Sequence, residues 1–320
     1  MAWDIPSLLA SIGLEALAPI LESHAIDLPQ LAKLTDEDLM AIGIERAGDR
    51  ARLLAAGASL REGDMGGGSG DWHTTTDPAA ATRDRPFVNS FGMLLIPIPR
   101  YKALFSITQV RVCDYEAFCR KVGSPMPPCD FAQGPDHPVV NVSWEEAVRF
   151  CEWMTAREKE KGLLVADLSY RLPSDVEWSA AVGLPDEGLG SPKARSGRTP
   201  GYPWGRSFPP PPGVGNYHPL LKVDDFRETS PVASFPPNVN GLYDLGGNVW
   251  EWCLDAFEEG SYRKVARGAS CFNDSDEFLL SSYRDSIAPD QCRNNLGFRV
   301  VLSVGVIKDP RQRVNIHPWG

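Results

Sequence analysis

The sequence predicts an α+β protein in which a small all-helical unit precedes a larger domain of helices, short strands and long irregular loops. Apolar residues recur at helical spacing through the first 60 residues and in a few later segments. Elsewhere the apolar runs are short, and 29 glycines and 28 prolines punctuate the 320 residues. Helices that come early and strands that come late are typical of the α+β class.

The composition argues against partners that require a strong positive charge. The formal net charge is -10, and no cluster of Lys and Arg with interleaved aromatic residues occurs. Binding to nucleic acid or to an anionic membrane surface needs such clusters, so neither partner is expected. No apolar run approaches the roughly 20 residues that span a bilayer, and the first residues lack a signal-peptide pattern. A cytoplasmic location is therefore expected.

Seven cysteines, an odd number, are spaced without any Cys-x-x-Cys pair or Cys/His zinc pattern. Reduced thiols are the expectation that follows for a cytoplasmic protein.

Residues 1–60 form the predicted helical unit. Leu8, Leu9 and Ile12 recur at helical spacing, and Thr35 supplies an N-cap with Asp38 at the N3 position. A longer last helix is predicted over 49–60.

This unit resembles the sterile alpha motif (SAM) family. The matching segments are Ile12-Gly-Leu14, Ile26-Asp-Leu28, Leu34-Thr-Asp-Glu-Asp-Leu39, Ile42-Gly-Ile44 and Gly48-Asp-Arg50. SAM domains are protein-interaction modules that often join an acidic face to a basic helix start, head to tail. The resemblance implies self-association, or association with another SAM protein, through Asp36, Glu37 and Asp38 on one side and Arg46, Arg50 and Arg52 on the other. Such a heterologous contact can generate rings or filaments. The alternative is a helical bundle whose charges only keep it in solution.

Composition also sets the domain boundaries. Residues 61–86 begin with a Gly-rich and Ser-containing run and predict a flexible linker. The second domain is predicted over 87–304, and 305–320 form a C-terminal tail.

The second domain contains three predicted helices. Tyr115, Phe118, Cys119 and Val122 share one helical face and predict the first. Capping boxes of Ser143 with Glu146, and of Ser174 with Glu177, open the other two. Strands are predicted within 91–99, 101–108, 248–255, 264–267 and 298–304, with 248–255 alternating between two faces.

A second resemblance rests on six motifs in this domain. They are Asn141-Val-Ser-Trp-Glu-Glu-Ala147, Tyr170-Arg-Leu-Pro-Ser-Asp-Val-Glu-Trp178, Tyr202-Pro-Trp-Gly205, Asn240-Gly-Leu-Tyr-Asp-Leu-Gly-Gly-Asn-Val-Trp-Glu-Trp252, Arg267-Gly-Ala-Ser270 and Leu296-Gly-Phe-Arg299. In this order they resemble the formylglycine-generating-enzyme, or sulfatase-modifying-factor, family. The resemblance implies that family's elaborated C-type-lectin-like fold.

The oxidases of that family bind copper through two cysteines five residues apart, the first lying three residues after the Ser of the Arg-Gly-Gly-Ser motif. Those positions are Asn273 and Phe278 in this chain. Neither side chain provides the thiolate that suits Cu(I), so no copper and no catalytic residue are expected. The alternative is a metal-dependent oxidase that uses Cys271 and Cys292 in an altered site.

The resemblance also implies two calcium sites. The first comprises Asp244 and Glu251 with the carbonyls of Gly247 and Val249. The second comprises Asn216 and Asp224 with the carbonyls of Tyr217 and Phe226. Mixed carboxylate and carbonyl oxygens suit Ca²⁺. The alternative is that Asp244 starts a turn and Glu251 accepts hydrogen bonds, without any metal.

With catalysis set aside, the surface built by residues 271–292 is predicted to bind a protein or a small ligand. The expected contact residues are Cys271, Phe272, Asp274, Asp276, Phe278, Tyr283, Asp285, Ile287, Gln291 and Cys292. Some non-catalytic relatives are variable proteins of diversity-generating retroelements, diversified near a closing Gly-Phe-Arg at codons that are Asn in the template. Asn294 and Asn295 resemble unchanged template codons. A fixed binding module and a scaffolding protein without a specific ligand are the alternatives.

Overall fold

The computed structural model describes residues 5–11, 14–31, 33–44, 49–50, 53–54 and 74–304, and the fold is given for these residues.

The N-terminal unit is a set of short helices around its own apolar core. Its helices are α1 (Ile5–Ser11), α2 (Ala18–Ser23), α3 (Leu28–Leu31) and α4 (Asp36–Ala41), with a 3₁₀ turn at Glu15–Leu17. Leu9, Leu21 and Leu39 are fully buried. The predicted capping box at Thr35 is confirmed, because Thr35 Oγ1 accepts the Asp38 N–H and Asp38 Oδ2 accepts the Thr35 N–H. Of the helix predicted over 49–60, residues 49–50 and 53–54 are helical and the rest lies outside the described residues.

The second domain contains two small sheets. Its strands are β1 (Phe87–Val88), β2 (Leu94–Pro97), β3 (Ala103–Ser106), β4 (Leu168–Arg171), β5 (Trp250–Ala256), β6 (Lys264–Arg267), β7 (Asp285–Ile287), β8 (Leu296–Gly297) and β9 (Val301–Val304). The first sheet has the order β1-β2-β3-β9-β4, and all its pairs are antiparallel. The second has the order β7-β6-β5-β8, in which β5 and β8 are parallel.

Within residues 74–304, five helices flank these sheets, and the first three lie at the predicted places. They are α5 (Val112–Val122), α6 (Trp144–Glu160), α7 (Asp175–Val182), α8 (Pro192–Arg195) and α9 (Asp276–Leu279), with 3₁₀ turns at Pro78–Ala80 and Pro219–Leu221. Both predicted capping boxes are present at the starts of α6 and α7. The prediction that Val122 faces the core is wrong, because this side chain ends α5 and is 47% exposed.

Aromatic side chains from α5, α6 and the segment before β9 form the centre of the larger core. Tyr115 stacks on Phe150 at 5.5 Å between ring centroids, and Phe298 meets Phe150 edge-on at 5.4 Å. All three are buried. These contacts bring residues distant in sequence together, and aromatic pairs add to the burial free energy.

The strand predicted over 248–255 exists as β5, and its first four residues are buried on both faces of the sheet. Trp250, Glu251, Trp252 and Cys253 are all buried. The sheet is covered on both faces here, so a polar residue such as Glu251 points inward, where buried partners satisfy it.

The predicted flexible linker of 61–86 is wrong for its last part. The Thr75 N–H donates to the Pro86 carbonyl at 2.9 Å, and the Val88 N–H donates to the Thr75 carbonyl at 2.9 Å. Arg83 Nη1 reaches the Val239 carbonyl at 2.8 Å. Residues 74–86 are therefore attached to the second domain by backbone and side-chain hydrogen bonds, and 61–73 lie outside the described residues.

Candidate ligand-binding surface

The loop between β6 and β7 is closed at its base by one buried carboxylate. Arg267, the last residue of β6, and Arg284, just before β7, both donate to Asp175 at the start of α7. All three side chains are fully buried. Burial alone would raise the pKa of Asp175, but the guanidinium groups of Arg267, Arg284 and Arg195 lower it below its ordinary value.

Two further side chains complete this ionic cluster. Arg195 Nη2 lies 2.8 Å from Asp175 Oδ2, and Arg284 Nη1 donates to Glu187 Oε1 at 2.8 Å. Sequence reasoning missed Asp175 and Glu187. Asp175 lies inside a segment that was interpreted as a capping box, and no periodicity marks a carboxylate whose partners lie on distant segments.

Arg299, from the closing Gly-Phe-Arg, is anchored in the same manner. Its Nη2 and Nε donate to Glu251 Oε1 and Oε2, each at 2.7 Å. Glu251 Oε2 also accepts the Trp178 Nε1–H at 2.8 Å, and Oε1 accepts from Gln109 Nε2 at 3.0 Å. The frame around the loop therefore consists of arginines held by buried carboxylates.

The structure separates the predicted contact residues into three groups. Six are exposed, namely Phe272, Asp274, Asp276, Phe278, Gln291 and Cys292. Tyr283 and Asp285 are half-buried. Cys271 and Ile287 are fully buried, so their expected place on the surface is wrong. Cys271 is held inside because its N–H donates to the Asn248 carbonyl, and Ile287 because β7 pairs with β6.

Aromatic rings line the exposed part of this loop. Phe278 meets Tyr283 edge-on at 5.1 Å between centroids, and Tyr283 lies 5.9 Å from Trp250. Tyr202 and Trp204 stack at 4.8 Å and 5° between ring planes. The segment before Tyr202 is held against the loop, because the Ser281 N–H donates to the Gly201 carbonyl and Ser282 Oγ donates to the Thr199 carbonyl.

We define the aromatic patch as Tyr202, Trp204, Phe208, Phe278 and Tyr283. Sequence reasoning used residues 202–205 as a family motif and did not place them on the binding surface. Their dense aromatic content was the signal that could have identified them.

The two positions at which the resemblance places the oxidases' copper ligands hold Asn273 and Phe278 in this chain. Asn273 Oδ1 accepts from Ser270 Oγ at 2.7 Å, and its carbonyl accepts the His218 N–H at 3.2 Å. Phe278 is 37% exposed. The nearby Cys271 is a free thiol whose pKa is raised to about 12 by burial. A thiol that resists ionisation is a poor nucleophile.

Cys292, the other thiol of the alternative site, lies in a different environment. It is exposed and free, and it lines a cleft of about 1070 Å³ between α5, α6 and residues 124–130. Residues 271–291 do not line that cleft. The two thiols therefore differ in environment, Cys271 being enclosed and Cys292 open to solvent.

The residues of the second expected calcium site are partly unsatisfied. Asn216 is 1% exposed, and its Oδ1 has no hydrogen-bond donor among the described residues. The Asp224 carboxylate accepts the Tyr217 N–H at 3.0 Å and the Phe226 N–H at 2.9 Å. Burial raises the pKa of Asp224 above its ordinary value. An unpaired buried acceptor and a partly buried carboxylate are consistent with a cation.

The residues of the first expected calcium site have protein partners instead. Asp244 Oδ2 accepts the Ala233 N–H at 2.8 Å, and burial raises the pKa of Asp244 to about 6. Glu251 has the four donors described above. Within the described part of the chain, no group of three or more His, Cys, Asp or Glu side chains is arranged to hold a metal ion.

Only some residues of the expected SAM interface can be described. Glu37 and Asp38 are exposed on the first turn of α4, whereas the Asp36 side chain, Arg46 and Arg52 lie outside the description. The expected surface role of Arg50 is wrong, because this side chain is buried and its Nη1 donates to the Ile44 carbonyl at 3.0 Å.

Two sheets flanked by helices, with anchored arginines around a long surface loop, define a domain of the formylglycine-generating-enzyme class. The chain belongs to the Sulfatase-modifying factor enzyme 1-like domain family, whose model matches residues 99–304. Residues 2–61 match the SAM domain (Sterile alpha motif) model. Both resemblances and the α+β class are thereby confirmed.

Similar proteins include catalytic and inactive members of this family. Inactive C-alpha-formylglycine-generating enzyme 2 of Mus musculus is 35% identical over 183 residues, covering 54% of this chain and 51% of the relative. Formylglycine-generating enzyme of Streptomyces coelicolor is 31% identical over 191 residues, covering 53% and 54%. The chain thus spans about half the length of the curated relatives it matches.

Solved structures with a similar arrangement include two bacterial proteins. PvdO from Pseudomonas aeruginosa superposes with a TM-score of 0.48 at 24% identity, covering 63% of this chain and 80% of PvdO. Treponema denticola variable protein 1 superposes with a TM-score of 0.47 at 20% identity, covering 67% and 96%.

Among the described residues, no helix has both the length and the apolar character needed to cross a membrane.

Proposed function

We propose that this protein is a non-catalytic recognition protein that binds a ligand through the aromatic patch and the acidic residues beside it. The observation that carries the proposal is the pair Asn273 and Phe278 at the positions where the family's oxidases hold copper. Phe278 contributes an exposed ring instead of a thiolate, and Asn273 is engaged by Ser270 and His218. The buried arginines that anchor the loop are present, whereas the copper-ligand positions carry side chains that suit binding.

The composition of this surface favours a peptide or protein ligand. Rings such as Phe278 and Trp204 offer large contact areas at low conformational cost, and aromatic residues are enriched at binding hot spots. Asp274, Asp276 and Glu277 are exposed beside them, so a ligand with positive charge is favoured.

The SAM domain adds multivalency to this proposal. Self-association, or association with another SAM protein, would display several copies of the surface and raise a weak affinity through effective concentration. Glu37 and Asp38 are exposed, as an acidic interaction face requires. Light scattering of the full chain at low and physiological salt tests self-association, and a monomer under both conditions contradicts it.

A cytoplasmic location and one bound Ca²⁺ belong to the same proposal. All seven cysteines are free, as expected in a reducing compartment. The unpaired Asn216 Oδ1 and the Asp224 carboxylate would supply oxygen ligands to the ion. A rise in melting temperature with Ca²⁺ that is lost in Asp224→Asn supports the site, and an unchanged melting temperature contradicts it.

A displayed library of random peptides tests the recognition surface. Selection against the full chain should enrich peptides that bind the wild type and lose binding to Phe278→Ala and Trp204→Ala. Binding should survive Val122→Ala, a matched change of an exposed apolar side chain on α5, outside the aromatic patch. Enriched peptides that bind all three variants equally would contradict this location.

Copper titration separates the recognition protein from the alternative oxidase. The proposal expects no Cu(I) bound in competition with a Cu(I) chelator and no oxygen-dependent change of a cysteine-containing peptide. Tight Cu(I) binding that is lost on Cys271→Ser would establish the alternative.

A further inference from the structure

Gln109 contacts two of the groups that the family resemblance assigns to the first calcium site. It follows β3 and precedes α5, and its side chain is fully buried. Its Nε2 lies 3.0 Å from Glu251 Oε1, 3.3 Å from the Val249 carbonyl and 3.2 Å from the Asp244 carbonyl. One side-chain nitrogen therefore faces three oxygens, two of which the resemblance assigns to calcium.

The surrounding acceptors determine how this amide is oriented. A primary amide can share its two N–H bonds among neighbouring oxygens, whereas the reversed orientation would direct Gln109 Oε1 at three acceptors. Gln109 Oε1 itself has no donor among the described residues. The orientation is therefore set by the oxygens of residues 244, 249 and 251.

The positive charge of Arg299 beside Glu251 also disfavours a bound cation at this position. Arg299 is fully buried and already neutralises Glu251 through two hydrogen bonds of 2.7 Å. A divalent cation in contact with Glu251 would lie beside this guanidinium and would displace Gln109 Nε2. Like charges at such separation in a buried site are strongly unfavourable.

We infer that the Gln109 amide takes the place of a metal ion at this corner and joins the β3–α5 connection to the turn before β5 without a cation. The first of the two calcium sites expected from the resemblance is thus replaced by protein donors. This inference is independent of the proposed recognition function, because it concerns a buried corner and not the aromatic patch.

Melting temperatures of full-length variants, measured with Ca²⁺ and with EDTA, test the inference. All variants carry Asp224→Asn, which removes any response of the other expected site. The parent, which carries Asp224→Asn alone, should melt at the same temperature in both buffers. Gln109→Met, which has a similar size but no donor, should melt at least about 3 °C lower, equally in both. Gln109→Glu places a second carboxylate beside Glu251, so its melting temperature should be low in EDTA and rise with Ca²⁺.

Three outcomes would overturn the inference. The first is a parent that Ca²⁺ stabilises, with the response lost in Glu251→Gln. The second is a Gln109→Met variant as stable as the parent. The third is a folded Gln109→Glu variant that does not respond to Ca²⁺. If Gln109→Glu does not fold, calorimetric titration of the parent with Ca²⁺ decides the matter, with no heat expected and stoichiometric heat overturning the inference.

Discussion

Arg284 Nε donates to Asp175 Oδ1 at 3.0 Å across 109 residues of sequence, and both side chains are fully buried. Arg267 binds the same carboxylate from the other end of the surface loop. One buried anion thus fixes both ends of residues 268–283, and the exposed side chains between them contribute little to this anchor.

Asp175→Asn should destabilise the protein by about 3–5 kcal/mol, because it leaves buried guanidinium groups without their counter-charge. Urea denaturation followed by tryptophan fluorescence measures this loss. The matched control is Asp290→Asn at an exposed position, where a change below about 0.5 kcal/mol is expected. Equal effects of the two changes would mean that the cluster does not stabilise the fold.

Two neighbouring residues of the loop should respond differently to truncation. Phe278→Ala removes a ring that is 37% exposed and should cost less than about 1 kcal/mol, whereas Leu279→Ala removes a side chain that is 2% exposed and should cost about 2–5 kcal/mol. Denaturant midpoints compare them. A larger loss for Phe278→Ala would show that this ring supports the core and would weaken its role in recognition.

Asp255 should make stability depend on pH. Burial and then the nearby Asp175 charge raise the pKa of Asp255 from an ordinary 3.8 to about 6. The contribution of Asp255 to the free energy of unfolding is complete below pH 3.8. It is lost as the pH rises through about 6, because the folded state holds the proton more tightly than the unfolded chain does.

In the wild type the Asp175 N–H donates to Asp255 Oδ2 at 2.7 Å. The Asp255→Asn side chain cannot ionise, and its amide oxygen can still accept this hydrogen bond. Relative to the wild type, the variant should gain stability between pH 4 and pH 7, by up to about 3 kcal/mol. Chemical denaturation at pH 4.5 and 7.5 measures this gain. A difference between the two proteins that does not change with pH would contradict the prediction.

Cys292 and Cys271 should differ in reactivity towards a thiol reagent at pH 7.5. Cys292 is exposed, whereas Cys271 is fully buried and the pKa of its thiol is about 12. The native protein should be labelled at Cys292 well before Cys271, and Cys292→Ser should remove that early product. Mass spectrometry of the digested protein identifies the labelled thiol, and early labelling of Cys271 would refute its burial.

The sequence by itself determined the local structure and the family. Capping boxes at Thr35, Ser143 and Ser174 require residues three positions apart, so a linear reading finds them. The six motifs were likewise sufficient to predict the family and to place Asn273 and Phe278 at the copper-ligand positions, since these depend on residue identity at fixed spacing.

Only the tertiary structure decided which side chains face solvent and which partners satisfy the buried charges. Cys271 lies in the same loop as Phe278, and Ile287 ends the strand that follows it, yet hydrogen bonding to residue 248 and pairing of β7 with β6 place both side chains inside. Gln109 reaches Glu251 across 142 positions, and no local pattern encodes such a contact. Burial and ion pairing depend on distances between segments far apart in sequence, and those distances exist only once the chain has folded.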